Sequence, residues 1–190
     1  MNKVKIGDLL TRVKESIDIE EDKQYKRVTI KTNNQGIYLR DIKFGRNIGT
    51  KKQFIIHAGQ FLLSKIDARN GAFGIVPNDL DGAIITGNFW AYEVNHELLN
   101  IEWFNLFVSS PKFLDICDRA SSGTTNRRYL DENKFLNFEI SLPSINEQNC
   151  IVEYFKSIKQ KYDLITLELS YQQDLINRLR QSILQEAVQG

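Results

Sequence analysis

Residues 143–190 read PSINEQNC IVEYFKSIKQ KYDLITLELS YQQDLINRLR QSILQEAVQG, and this stretch decides the fold. Stepping alternately by four and three from Ile151 gives Phe155, Ile158, Tyr162, Ile165, Leu169, Gln172, Ile176, Leu179 and Ile183. Nine of these ten positions are apolar. Steps of four and three average 3.5 residues, the repeat of a left-handed coiled coil rather than of a lone surface helix. Ser144 and Glu147 stand at capping-box spacing, and Pro143 blocks helix upstream. With a rise of about 1.5 Å per residue the seam runs roughly 50 Å, far longer than a small domain needs for its own core. Such a helix predicts a partner along that seam. Gln172, near its middle, is the kind of enclosed polar residue that fixes register at some cost in stability.

The rest of the chain is ordinary by composition. At 190 residues, 42% hydrophobic and 26% charged, it predicts one soluble domain, or one domain plus an appendage. The N-terminus lacks an apolar signal core and there is no run of eighteen apolar residues, so a cytoplasmic protein with no membrane partner is expected. The two cysteines, Cys117 and Cys150, fall in helical stretches without ligand-like neighbours, which suggests a reducing compartment. The net charge of +1 hides an asymmetry, because residues 1–60 carry 13 Lys and Arg against 7 Asp and Glu. That basic first third is compatible with a phosphate-binding face.

Upstream of the helix the periodicity is mostly strand-like. Residues 3–14 form a short amphipathic opening around Ile6, Leu9, Leu10 and Val13, and residues 15–23 read as a charged loop. Residues 27–31 and 37–42 alternate on either side of a polar turn, predicting a hairpin. Short glycine-bounded strands follow over 54–56, 60–66, 73–76, 82–86 and 89–94, as one strongly curved sheet rather than a βαβ series. Helical spacing returns at Ile101, Phe104, Phe107 and Val108, and Ser110-Pro111 opens another helix. Residues 120–129 read as a polar loop and 138–142 as a last strand. The expected fold is α+β: a strand-rich globular domain over 1–143 followed by a long coiled-coil helix over 144–190.

Several chemistries are absent from the sequence. No two of the three prolines (Pro77, Pro111, Pro143) adjoin, so an Asn/Asp-Pro-Pro-aromatic loop of an amino-methyltransferase is missing. There is no Gly-Lys-Ser/Thr phosphate loop, no dinucleotide fingerprint and no Gly-x-Ser-x-Gly elbow. The two histidines, His57 and His96, lack metal-ligand partners at helix or turn spacing. Asp67, Asp79 and Asp81 could serve a metal-dependent nuclease if clustered, but none is followed two residues on by lysine. A chain that catalyses nothing is the expectation.

Recognition remains. Arg pairs bidentately with guanine and Asn with adenine, while Ser and Thr reach bases or phosphates. Three polar clusters offer such groups. They are residues 31–35, with Lys31, Asn33 and Asn34; Lys65, Arg69 and Asn70; and residues 121–129, with Thr124, Thr125, Asn126, Arg127, Arg128 and Tyr129.

Three segments resemble the specificity subunits of type I restriction–modification enzymes. The first is residues 59–76, GQFLLSKIDARNGAFGIV, with 81–86, DGAIIT, and Phe89. The second is residues 122–128, SGTTNRR, with Leu130. The third is residues 140–148, ISLPSINEQ, with Ile151-Val152 and the closing Leu-x-x-Ala-x-x-Gly of 184–190. The resemblance covers essentially the whole chain. It implies a target recognition domain that reads one half of a split site on double-stranded DNA, then a spacer helix. Family members resemble two such units in tandem with antiparallel helices, so this chain looks like a half-subunit whose missing half would be a second copy. A two-fold homodimer implies an inverted-repeat site with an unspecified middle. Half-sites one helical turn apart, near 34–36 Å, suit the ~50 Å strut.

The resemblance further implies a modification methyltransferase subunit docking on the helices. That partner would bind S-adenosylmethionine and flip the base, leaving this chain without a cofactor. A separate restriction endonuclease subunit would complete the complex. The alternative from another class is a stand-alone dimeric DNA-binding regulator or inhibitor using the same helix.

Overall fold

The computed structural model describes residues 2–124 and 127–189, without the side chains of Thr124 and Arg127. In chain order the elements are β1 (Asn2–Lys5), α1 (Ile6–Leu9), β2 (Leu10–Val13), β3 (Ser16–Asp18), β4 (Gln24–Lys31) and β5 (Gly36–Phe44). Then come β6 (Lys52–Ile56), β7 (Phe61–Ser64), β8 (Phe73–Ile75), β9 (Ala83–Ile85) and β10 (Phe89–Val94). The chain closes with α2 (Ile101–Val108), α3 (Pro111–Arg119), β11 (Ser121–Thr124), β12 (Arg127–Leu130), α4 (Glu132–Leu136), β13 (Glu139–Leu142) and α5 (Ile145–Gln189). It divides into two compact units, Met1–Gln148 and Asn149–Gly190. The architecture is α+β.

Within the first unit the strands make two main sheets, not one curved sheet. One is ordered β3-β6-β9-β4-β5, the other β2-β10-β7-β8. Between them lies an aliphatic core, with Val28, Ile30, Ile37, Ile56 and Ile85 from the first sheet and Leu62 and Ala91 from the second. The other face of the second sheet is aromatic. Phe61 of β7 meets Phe104 of α2 at 5.2 Å and Phe113 of α3 at 5.9 Å, edge to face. Phe113 also meets Phe73 at 4.9 Å and Phe135 of α4 at 5.9 Å. These edge-on geometries suit the ring quadrupole. β7 is therefore covered on both faces, which is why FLLS is fully buried rather than alternating.

Local differences from the sequence reading have physical reasons. The amphipathic opening is a strand, one helical turn and a second strand, because Asn2–Lys5 pairs antiparallel with Glu139–Leu142. Part of the charged loop, Ser16–Asp18, is an edge strand on β6. Ser110 precedes α3 as expected, with Pro111 in its first turn, but its hydroxyl donates to the Phe107 carbonyl instead of capping. Residues 121–124 and 127–130 pair as two antiparallel strands rather than forming a loop.

The first turn of α5 belongs to the first unit. Ser144 and Glu147 make the expected capping box: Glu147 Oε2 accepts from Ser144 N at 2.8 Å, and Ser144 Oγ accepts from Glu147 N at 3.4 Å. Backbone and hydroxyl donation by Ser144 holds the Glu147 carboxyl below its ordinary pKa. Gln148 is fully buried and donates to the Leu98 and Pro143 carbonyls while accepting from Asn100 N. Among the described residues no helix is long and apolar enough to cross a membrane.

Candidate nucleic-acid interface

The three polar clusters are far apart in sequence and joined in space. The β4–β5 turn holds Asn33 and Asn34 at φ of 59° and 57°, the left-handed region that Asn tolerates better than most side chains. Asn33 N donates to the Asn70 carbonyl at 2.7 Å, and Asn34 N to Gly71 at 3.1 Å. This fastens the turn to the 3-10 turn Ala68–Asn70. Gly71 has to be glycine there: its φ is +79°, and a Cβ would come within 2.8 Å of Asn34 N.

The second seam lies at Lys65. Its carbonyl accepts from Leu130 N at 2.8 Å, and its ammonium stands 6.0 Å from the Tyr129 ring. Asp131 N donates to Ala120, closing the base of the β11–β12 hairpin. Lys65, Arg69 and Asn70 thus sit between the Asn33-Asn34 turn on one side and the hairpin on the other. Thr125 and Asn126 lie outside the described residues, as do the side chains of Thr124 and Arg127.

Two adjacent arginines looked equivalent in sequence, and Arg128 at least has a structural role. Its terminal nitrogens donate to Asp118 Oδ1 at 2.8 Å, to the Asp118 carbonyl at 2.8 Å and to the Ser121 carbonyl at 3.0 Å. It ties the hairpin to the end of α3, so those donors are spent inside the fold. Tyr129 is exposed. Arg69 differs again. Its Nε is shut off from solvent without a hydrogen-bond partner, as is Asn34 Oδ1, among the described residues. A buried donor left unpaired costs about 1–3 kcal/mol. Arg69 lines an open cavity of about 410 Å³ with Thr32, Asn33, Asn70 and Leu114. Lys31 sits 4.3 Å over the exposed Tyr38 ring. Tyr38 lies outside the clusters read from the sequence, because a strand tyrosine reads as packing.

The hairpin's connection to α4 is held from below. Glu132 Oε1 accepts from Arg12 Nη1 and from the Tyr92 hydroxyl, both at 3.0 Å. Burial, with the Glu132 charge behind it, pushes the Tyr92 phenol far above its ordinary pKa. The phenol is a fixed donor.

The carboxylates named for metal chemistry are dispersed in role. Asp81 accepts from Ala58 N and faces His57 Nδ1 at 3.2 Å, while His57 Nε2 faces Glu15 at 3.1 Å. Asp67 accepts from Asn70. Among the described residues no group of three His, Cys, Asp or Glu side chains is arranged to hold a metal ion. Cys117 is buried, which raises its thiol pKa far beyond the ordinary range, and Cys150 is exposed.

In the second unit every apolar seam residue is exposed, from 41% at Ile151 to 67% at Tyr162. Phe155, Ile158, Ile165, Leu169, Ile176, Leu179 and Ile183 lie within that range. Gln172 donates to Glu168 on its own helix at 3.0 Å. The positions outside the seam are less uniformly polar than the heptad reading implies, because Leu164, Leu167 and Tyr171 are exposed too. At three- and four-residue steps they make a second, shorter apolar line.

Comparison with curated proteins gives no match. Among solved structures the chain is similar to the HsdS subunit from Thermoanaerobacter tengcongensis, with TM-score 0.70 and 19% identity over 86% of this chain and 43% of that one. It is also similar to a chain solved in work on complex assembly and conformational transition of the type I R-M system, with TM-score 0.70 and 19% identity over 91% and 46%. The type-I restriction-modification system S subunit from M. genitalium follows, with TM-score 0.53 and 12% identity over 85% and 40%. At these identities the likeness shows the fold, and the chain spans less than half the length of each. The model of the type I restriction modification DNA specificity domain matches residues 1–172. The chain therefore belongs to the family of type I restriction modification DNA specificity domains.

Proposed function

We propose that this chain is the DNA-addressing subunit of a type I restriction–modification enzyme and has no catalytic role of its own. The observation that carries this reading is the backbone fastening of segments from the three polar clusters, Asn33 and Asn34 on Asn70 and Gly71, and Leu130, next to Tyr129, on Lys65; we take these to form one surface. That surface presents amide, guanidinium, ammonium and phenol groups, the types that contact base edges and phosphates. Lys31, Asn33, Asn34, Lys65, Arg69, Asn70 and Tyr129 contact the duplex, and Thr124, Thr125, Asn126 and Arg127 are proposed as contacts on their residue types alone. Arg128 holds the hairpin in position. Arg69, which lines an open cavity with Thr32, Asn33 and Asn70, supports a phosphate or base acceptor there.

Two copies pair antiparallel along the exposed α5 seam and present two such surfaces to an interrupted inverted repeat. The methyltransferase subunit docks on the paired helices, with the exposed line of Leu164, Leu167 and Tyr171 as its apolar seat. S-adenosylmethionine belongs to that subunit, and a restriction endonuclease subunit completes the assembly. The system works in the cytoplasm.

The test is to map modified bases in the host genome with the native chain and with a Lys65→Ala, Tyr129→Ala variant. An inverted repeat with an unspecified middle is expected, lost or relaxed at one or more positions in the variant. An unchanged modification pattern removes this surface from recognition. Co-purification from the host separates the assignment from a free-standing regulator, which would come without a methyltransferase.

A further inference from the structure

The ten seam positions of α5 are self-complementary in one antiparallel register. Pairing position 151 with 183, 155 with 179, 158 with 176, 162 with 172 and 165 with 169 fills every layer of a two-fold helix pair. Sliding one helix by a heptad either way brings seam positions opposite Glu186 or Gln148 and leaves Gln172 against Leu169 or Phe155 of the other copy. In the centred register Gln172, the one polar seam residue, instead faces Tyr162, the one seam residue bearing a hydroxyl.

Resting on the antiparallel homodimer proposed above, we infer that a Tyr162–Gln172 hydrogen bond between copies, made twice by symmetry, locks the helices in this register. The donor inventory fits. Gln172 spends an amide N–H on Glu168 at 3.0 Å within its own helix, and its amide oxygen has no partner among the described residues. The Tyr162 side chain is 67% exposed, free for its hydroxyl to donate to that oxygen across the seam. An apolar neighbour could not accept or donate, so either slipped register buries two amide groups short of a bond. Glu168 lies one residue from the two-fold axis and so stands near its own copy; donation from Gln172 disperses that charge. A polar pair at one seam layer therefore chooses among registers that apolar packing alone would tolerate. It also sets the separation of the two recognition surfaces.

A double-mutant cycle on the dimer Kd tests this with Tyr162→Phe, Gln172→Leu and both together, measured by sedimentation equilibrium on the full chain. Tyr162→Phe alone is expected to weaken the dimer about ten- to a hundredfold, and to have little effect in the Gln172→Leu background. The two residues are ten apart, roughly 15 Å along one helix, so direct coupling between them arises only between chains. Additive effects in a protein that still dimerises would overturn the register lock and leave the homodimer standing. A native chain that stays monomeric would overturn both. For an independent reading, Ile151→Cys chains are mixed with Ile183→Cys chains, each carrying Cys150→Ser. Disulfide-linked mixed dimers are expected; 151–151 links, the mark of parallel helices, would sink the proposal.

Discussion

The two units use the same apolar chemistry and end in opposite states. In Met1–Gln148 the large side chains of Phe61, Leu62, Phe104, Phe113 and Phe135 are at or near zero exposure. In Asn149–Gly190, Ile165 and Leu169 keep about three fifths of their surface in water, at 60% and 61%. Monomeric proteins scatter single apolar residues over their surfaces, whereas nine exposed apolar residues at heptad steps, interrupted once by Gln172, make the kind of patch that interfaces bury. One region covers its own apolar surface; the other leaves its seam exposed. The contrast extends to polar groups. Gln148 is buried and makes three bonds to neighbouring backbone, whereas Gln172 is exposed and, among the described residues, bonds only to Glu168 on its own helix.

The contrast breaks most sharply at the seam. Replacing Ile165 and Leu169 together by Asp removes four apolar side chains per dimer, each worth about 1.5–3 kcal/mol when buried, and adds four charges. Dimerisation should vanish in a sedimentation measurement while the thermal melt of the first unit stays put. A shifted melt would mean the seam serves the globular unit instead. Phe113→Ala probes the opposite side: the first unit should lose about 3–5 kcal/mol in chemical denaturation, with the helix pairing intact. Next comes the recognition surface, where Lys65→Ala or Tyr129→Ala should weaken DNA binding by about 1–3 kcal/mol without changing either melt.

The smallest effect concerns His57. Its bond to Glu15, then that to Asp81, raises its pKa above the ordinary 6.5. Because the folded pKa lies above the unfolded one, its stabilisation is complete below about pH 6.5 and is lost as pH rises through the folded value. The cluster is exposed, so the contribution is under about 1 kcal/mol. Denaturation midpoints of native protein and His57→Ala should differ at pH 5.5 and converge at alkaline pH. A gap that widens with pH would reverse the assigned sign.

The helix was legible because its signal is local: a 3.5-residue repeat, a proline and a capping box lie within one stretch. The strands were legible one by one for the same reason. Their assembly was not, since β9 inserts between β6 and β4, and its parallel pairing of Arg27 with Ile84 spans 57 positions. The strand pair 121–124 with 127–130 escaped because Ser-Ser-Gly-Thr has no apolar alternation; it is held by Leu130 on Lys65 and by Arg128 on Asp118. The polar clusters could be found from residue types alone, but their convergence depends on backbone bonds across 37 and 65 positions, Asn33 to Asn70 and Lys65 to Leu130. Nothing in the spacing separates Arg128, which braces the hairpin, from a residue free to meet a base.

The central claim is that the exposed seam of α5 exists to meet a second copy. Sedimentation equilibrium of the purified full chain at micromolar concentration tests it most directly. The account predicts a particle of twice the 22.0 kDa chain mass that dissociates on dilution. A mass of 22.0 kDa at every concentration would contradict it.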